Sequence, residues 1–330
     1  MKILIAGYGS IGKRHFNNLR ALGVKDFVFL RSNNSTLDVS ELAEYPVEHS
    51  VEAALAYKPD AVVISNPTAL HLDVAIPAAA QGCSLLMEKP ISHSLARLDE
   101  LRQAAAAGGS RILVGFQWRF HPTLQKAAEI LQSGQLGRVL SARAHWGEYL
   151  PNWHPYEDYR KSYSARADLG GGVVLTLCHP FDYLRWLLGE VDSVWATLAR
   201  SGELEIAVED QAEVGLQFAN GALGSVHLDY VQQPPSHTLQ IVCSQGRLEW
   251  NAASGALVQI SATGEQREFA LEAGFERNHL FIDQTRHFLE VTQGSAQPLC
   301  SLEDGISALE IALAAHHAHD AGARVQLERA

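Results

Sequence analysis

The sequence predicts an α/β protein in two parts. Residues 1–120 read as a parallel sheet covered on both faces by helices, and residues 121–330 as an α+β part on a mainly antiparallel sheet. Three observations carry this prediction. Short, nearly continuous apolar runs alternate with helical stretches through the first third of the chain. A glycine-rich turn joins the first run to the first helix. After Pro122 the strand-like segments change to alternating apolar and polar residues, with Asn220-Gly221 as a hairpin signal.

In chain order the first part reads KILIA, a helix over 13–22, DFVFL, a helix over 51–57, AVVIS, a helix over 70–81, SLLME, a helix over 95–107 and RILVG. That order is a series of βαβ units, whose crossovers are right-handed. The second part begins with an amphipathic helix over 124–133 and a polar, aromatic connection over 145–166. A helix over 179–188 follows, then strands in which Val214, Leu216 and Phe218 share one face and Val226 and Leu228 lie on the return strand. Helices over 281–292 and 302–319 close the chain.

The chain has 330 residues, 47% hydrophobic and 19% charged, enough for two cores and too apolar for disorder. With 26 Lys and Arg against 37 Asp and Glu it carries a formal charge of −11, and no basic cluster marks a nucleic-acid partner. Cys83, Cys178, Cys243 and Cys300 contain no C-x-x-C pair and read as reduced, buried thiols. MKILIAGYG runs directly into a structural pattern, leaving no leader, and no apolar run is long enough for a membrane span; the expectation is a cytoplasmic protein. His316 and His319 are one helical turn apart but have no further ligand placed by sequence, so no metal is assigned.

Gly7, Gly9 and Gly12, with Ser10 and Ile11 among them, form G-Y-G-S-I-G between a strand and a helix. In that context the pattern is a dinucleotide site: a tight turn, an open backbone and a helix N-terminus facing a diphosphate. The acidic residue that usually grips the ribose hydroxyls of NAD is replaced by Arg31, followed by Ser32 and Asn33. A guanidinium there suits a 2′-phosphate, so NADP(H) is favoured over NAD(H).

Lys89 closes the run SLLME-K-P at the C-terminal edge of the parallel sheet, where open α/β sheets bind ligands. There it is a candidate for proton exchange with substrate, with Glu88 anchoring the strand end and Pro90 ending the strand. His179 and Asp182 lie one helical turn apart, as a second proton-transfer group and its orienter or a substrate hydroxyl acceptor. In the 145–166 connection, Trp153 and Tyr159 suit a polyhydroxylated ring, and Arg160 and Arg166 an anionic group on it. Each of these also has a purely structural reading: a solvated lysine, a helix cap, a covering loop.

GYGSIG (7–12), NPTALH (66–71), EKP (88–90), FQWRFHP (116–122) and GGG…HPFD (170–182) together resemble the Gfo/Idh/MocA family, which includes glucose-fructose oxidoreductase and inositol dehydrogenases. The resemblance covers nearly the whole chain. It implies a Rossmann domain, a C-terminal domain with a large open sheet through which members form dimers or tetramers, and hydride transfer at a carbinol or keto carbon of a sugar, sugar acid, nucleotide-sugar or cyclitol. Lys89 matches the catalytic lysine and His179 the catalytic histidine. Asn66, Pro67, Thr68, His71, Glu88, Lys89 and Gln117 fall on the cofactor side of the match. Arg119, His121, Thr176 and Asp182 fall with Lys89 and His179 on the substrate side. The family's aspartate one turn before the histidine is absent: Leu175 and Thr176 stand there. Two other classes fit the same residues, a non-catalytic NAD(P)-binding sensor, and a hydrolase or lyase acting on a glycoside by transient oxidation.

Overall fold

The computed structural model describes residues 1–32, 40–155 and 157–328. Asn33 of the expected cofactor contacts lies outside the described residues. The chain divides into two compact units, Met1–Gln117 with Glu276–Ile306, and Trp118–Phe275 with Ser307–Ala330.

The first unit holds strands β1 (Lys2–Ala6), β2 (Asp26–Leu30), β3 (Val47–Glu48), β4 (Ala61–Ile64), β5 (Ser84–Met87) and β6 (Ile112–Val114). Between them lie helices α1 (Ser10–Ala21), α2 (Val51–Leu55), α3 (His71–Ala80) and α4 (Leu98–Gly108). All six strands are parallel in the order β3-β2-β1-β4-β5-β6, so the winding direction reverses between β1 and β4. In such a sheet the crevice at the reversal, beyond the C-terminal strand ends, is the ligand position. Every residue of β4 and β5 is buried, as the unbroken apolar runs demanded. Phe16 of α1 meets Phe27, Phe29 and Tyr45 edge-on at 4.9 to 5.6 Å, which fixes α1 against β2. Helix α4 begins at Leu98 rather than at 95, because Arg97 takes a left-handed conformation at φ 66°.

The second unit opens with α5 (Pro122–Gln132) and β7 (Val139–Tyr149), then α6 (Val173–Thr176) and α7 (His179–Leu188). Strands β8 (Val191–Ala199), β9 (Gln211–Phe218), β10 (Leu223–Asp229), β11 (Val231–Cys243), β12 (Gly246–Asn251), β13 (Leu257–Ser261) and β14 (Gln266–Phe269) follow. Residues 145–149, expected in the aromatic connection, instead belong to β7, whose Ala142, Ala144 and Trp146 are buried while Arg143 is exposed. That period of two is the strand signal; the polar residues between the buried ones had masked it.

Helix α8 (Arg277–Gln293) returns to the first unit and packs on α1. There the Asn278 amide donates to Asn18 at 3.0 Å and the Arg14 guanidinium lies 4.5 Å over the Phe281 ring. The Val114 amide then donates to Cys300 O at 2.9 Å, and Arg102 forks onto Glu303 at 2.9 and 2.7 Å. A continuous division at residue 120 does not contain this return, which sequence periodicity does not encode. Helix α9 (Leu302–Ala321) and β15 (Val325–Gln326) end the chain, β15 pairing with β8.

The second unit's sheet has nine strands in the order β14-β13-β12-β11-β7-β10-β9-β8-β15, antiparallel throughout the described residues except for β7 beside β10. Asn220-Gly221 makes the expected hairpin between β9 and β10, with Gly221 at φ 85°. One sheet face is apolar and covered. The other carries Glu213, Ser225, His227 and the exposed Trp195. No helix among the described residues is long and apolar enough to cross a membrane. All four cysteines are buried and none forms a disulfide.

Candidate functional site

The glycine turn after β1 is packed on one side and open on the other. Gly7, at φ 94°, donates its N–H to Leu30 O at 2.8 Å, and a Cβ on it would lie 2.5 Å from Asn66 N. A Cβ on Gly12 would lie 2.1 Å from Gly7 O, whereas Gly9 has nothing within 4 Å. The Ser65 hydroxyl, 2.9 Å from Gly7 O, holds the turn from the β4 side. Helix α1 starts without a side-chain cap and without an acidic residue in its first turn. First-turn amides lack intrahelical acceptors, and the N-terminal dipole end favours an anion, so the open side at Gly9 fits a dinucleotide diphosphate.

Arg31 follows β2 directly, its N–H donating to Glu48 O at 3.0 Å and its C=O accepting from His49 at 2.8 Å. The acidic position at this strand end is thus occupied by a cation, with Ser32 exposed beside it. Lys13 of α1 is 2.7 Å from Glu41, whose carboxyl is held below its usual range by hydrogen bonds from Lys13 and Tyr8. Burial pushes the Tyr8 phenol up. Thr68 sits buried in a short turn after Pro67. His71 Nε2 lies 2.9 Å from Asn66 O, and burial lowers the pKa of this imidazole.

Lys89 follows β5, half-buried, with a cis bond to Pro90. Glu88 turns inward: its Oε1 is 2.7 Å from His15 Nε2 on α1, and its Oε2 accepts the Lys89 N–H at 3.3 Å. Burial pushes the Glu88 carboxyl upward, but His15 and the Lys89 charge prevail and hold it below its usual value. Glu88 therefore ties the backbone under Lys89 to the nucleotide helix. Sequence reasoning missed His15; the signal is a histidine one turn past the last glycine, on the face of α1 turned to the sheet. Gln117 is buried at the end of this unit.

In the second unit His179 opens α7, 1% exposed, its ring tilted over Trp146 at 5.3 Å. Trp146 stacks on His237 at 4.2 Å, and His237 Nε2 lies 3.2 Å from the Tyr183 hydroxyl. Neither His237 nor Tyr183 was singled out by sequence: the register of β11 on β7 sets His237 opposite Trp146, and Tyr183, one turn past His179 on α7, meets it there. Asp182, the expected orienter of His179, lies one turn further along α7. It takes a forked ion pair from Arg119, at 2.7 to 3.1 Å, with both side chains buried.

The Thr123 hydroxyl donates to Gly255 O at 2.7 Å and accepts from Trp250 Nε1 at 3.0 Å. Its remaining neighbour, His121 Nδ1 at 3.1 Å, must therefore be the N–H of that imidazole. Desolvation lowers the His121 pKa to about 4. Thr176 is buried against the Tyr230 phenol, which donates to Gly172 O at 3.0 Å. Trp153 meets Tyr230 edge-on at 5.6 Å. Arg160 is 2.8 Å from Asp158 and also pairs with Glu205, and Arg166 pairs with Asp168; both arginines are 48% exposed. Their charges are answered locally by carboxylates, and Tyr159 lies in the short turn that carries Arg160.

Residues 1–116 match the model of an oxidoreductase family with an NAD-binding Rossmann fold, and residues 124–249 match the GFO/IDH/MocA C-terminal domain. Among similar proteins, the D-xylose 1-dehydrogenase (NADP(+)) 2 of Haloferax volcanii is 27% identical over 285 residues, 84% of each chain. The myo-inositol 2-dehydrogenase of Thermotoga maritima is 25% identical over 99% of both chains. A solved levoglucosan dehydrogenase in complex with NADH and levoglucosan shares the fold over 100% of both chains, with a TM-score of 0.87 at 20% identity.

Proposed function

The chain belongs to the GFO/IDH/MocA family of NAD-binding oxidoreductases, and from that premise we propose that it transfers a hydride between NADP(H), in preference to NAD(H), and a carbinol or keto carbon of a sugar, sugar acid, nucleotide-sugar or cyclitol. The observation that carries the cofactor half is the turn open at Gly9 beside an uncapped helix start. Arg31 in the acidic position, and a xylose dehydrogenase relative named for NADP(+), support the NADP(H) preference.

When bound, the nicotinamide supplies or accepts the hydride. Lys89 takes the proton of the substrate hydroxyl, with His179 as the second proton-transfer group. Leu175 and Thr176 stand where the family carries its aspartate and neither can hold a charge, so proton movement rests on Lys89 and His179. Gln117, Arg119, His121, Trp153, Tyr159, Arg160, Arg166 and Asp182 complete the proposed cofactor and substrate surroundings, Arg119 and Asp182 by holding each other. The uncovered sheet face, with Trp195 46% and Leu223 53% exposed, is the proposed homodimer or homotetramer surface, to be checked by light scattering. The buried cysteines, none of them in a disulfide, favour a cytoplasmic setting.

The test is Lys89→Met assayed by nicotinamide absorbance against a panel of sugars, sugar acids, nucleotide-sugars and cyclitols. Turnover should fall by about 10²- to 10⁴-fold with cofactor affinity kept within a few-fold. Near-normal turnover refutes the lysine's role, and tighter binding of NADH than NADPH to the wild type refutes the cofactor preference.

A further inference from the structure

Strands β7 and β10 place His145 and His227 side by side in parallel register, with their imidazoles stacked at 4.6 Å. Successive side chains of a strand point to opposite faces, so these rings lie across the sheet from Trp146 and His179. Two residues further along both strands, Asp229 is the partner of Gly147.

Four donor groups converge over that glycine. His145 Nε2 is 2.6 Å from Gln232 Oε1, and His227 Nε2 is 3.0 Å from Asp229 Oδ2. A Cβ on Gly147 would fall 2.0 Å from Gln232 Oε1 and 2.3 Å from Asp229 Oδ2, so the missing side chain leaves the space these atoms share. One ligand atom from each of His145, His227 and Asp229 lies within 4.8 Å of the other two.

The outer contacts set the direction of these groups. His227 Nδ1 is 2.6 Å from Glu213 Oε1. Asp229, 3% exposed, uses Oδ1 to accept the N–H groups of Val231 at 2.9 Å and Gln232 at 2.7 Å, which leaves Oδ2 for His227. An imidazole whose Nδ1–H is held by a carboxylate presents a lone pair at Nε2. With no ion bound, the hydrogen bonds to Asp229 and Glu213 raise the His227 pKa and a proton on Nε2 fills this contact; a divalent ion takes that proton's place between the lone pair and Oδ2. Imidazole nitrogen and carboxylate oxygen as ligands, with a second carboxylate behind the histidine, is the donor chemistry of zinc and its neighbours.

We propose that His145, His227 and Asp229 bind one zinc-class divalent transition-metal ion, with Gln232 Oε1 as a fourth donor and Glu213 as a positioning residue. The ion joins β7 to β10 across the one parallel seam of the sheet among its described strands, on the face opposite His179, and serves as a structural staple. Ligand bonds of about 2.0–2.2 Å place tetrahedral donors about 3.3–3.6 Å apart, so loading tips the stacked rings together at their Nε2 ends.

The test uses tag-free, full-length protein stripped with a chelator and reloaded with Zn²⁺ or Co²⁺. Metal content is measured by mass spectrometry, affinity by competition with a fluorescent chelator, and geometry by the visible bands of the Co²⁺ form. One ion per chain is expected, with four-coordinate Co²⁺ bands and a thermal midpoint that rises on adding zinc. His145→Ala and Asp229→Asn should each weaken binding by about 100-fold or more and abolish the thermal shift. Glu213→Gln should weaken it about 10- to 100-fold while keeping the stoichiometry. His317→Ala, exposed on α9, should change nothing. Wild-type protein that holds no ion at micromolar free zinc overturns the proposal, since a proton then fills the gap. Unchanged stoichiometry and affinity in both His145→Ala and Asp229→Asn overturn it too, by placing the ion elsewhere.

Discussion

The two units present their polar chemistry in different materials. In the first, the proposed cofactor surface is backbone: a glycine turn and the amides that start α1. In the second, the polar groups around His179 are side chains withdrawn from water, Arg119 on Asp182, His237 on Trp146 and His121 on Thr123. A backbone surface fails when a side chain is added to it. A desolvated side-chain cluster fails when a partner is removed or a proton is added, and the two units should therefore respond to opposite kinds of change.

The largest effect is expected at the buried ion pair. Asp182→Ala removes the carboxylate that faces a guanidinium only 4% exposed, and breaking such a pair costs about 3–5 kcal/mol. Urea unfolding measures it. The double variant Arg119→Met with Asp182→Leu should recover much of the loss, because the desolvated charge goes with its partner. A cost for Asp182→Ala below about 1 kcal/mol would mean that water reaches the pair, and the contrast between the units would collapse.

The backbone unit is broken by an added methyl. Gly12→Ala puts a Cβ 2.1 Å from Gly7 O, so the turn must shift, at a cost of about 1–3 kcal/mol and with loss of cofactor affinity. Gly9→Ala meets nothing within 4 Å and should unfold like the wild type. Its cofactor affinity should nevertheless fall, since the methyl enters the space assigned to the diphosphate. Equal unfolding midpoints for the two variants would mean that the turn absorbs a Cβ at Gly12, and unchanged affinity in Gly9→Ala would remove the diphosphate from that side of the turn.

This difference in material also decides what could be read from the sequence. Strands β1 and β2 coincide with the runs KILIA and DFVFL, and α7 with the predicted 179–188, because local periodicity specifies them. The glycine turn and the strand-end position of Lys89 are legible for the same reason, a few consecutive residues sufficing. His15 on Glu88 spans 73 residues and Arg119 on Asp182 spans 63, distances over which no pattern in one sequence links two residues. The arginines at 160 and 166 are legible as charges, but their partners are legible only in part: Asp158 and Asp168 are two residues away, whereas Glu205, also on Arg160, is 45 residues away.

The smallest effect, and the one that separates the units most cleanly, is a proton on His121. Its pKa falls from the ordinary 6.5 to about 4 on burial, so the unfolded chain takes up the proton first as the pH drops. Stability is then lost below pH 6.5 and the loss levels off near the folded value, amounting to about 1 kcal/mol between pH 7.5 and 5.5 for this one group. His121→Gln removes it, while the other titrating groups, His71 among them, are shared by both proteins and cancel in the comparison. Urea unfolding at the two pH values should show the wild type losing about 1 kcal/mol more than the variant. An equal loss would mean that His121 is protonated as readily when folded as when unfolded, and that the second unit is wetter than its packing implies.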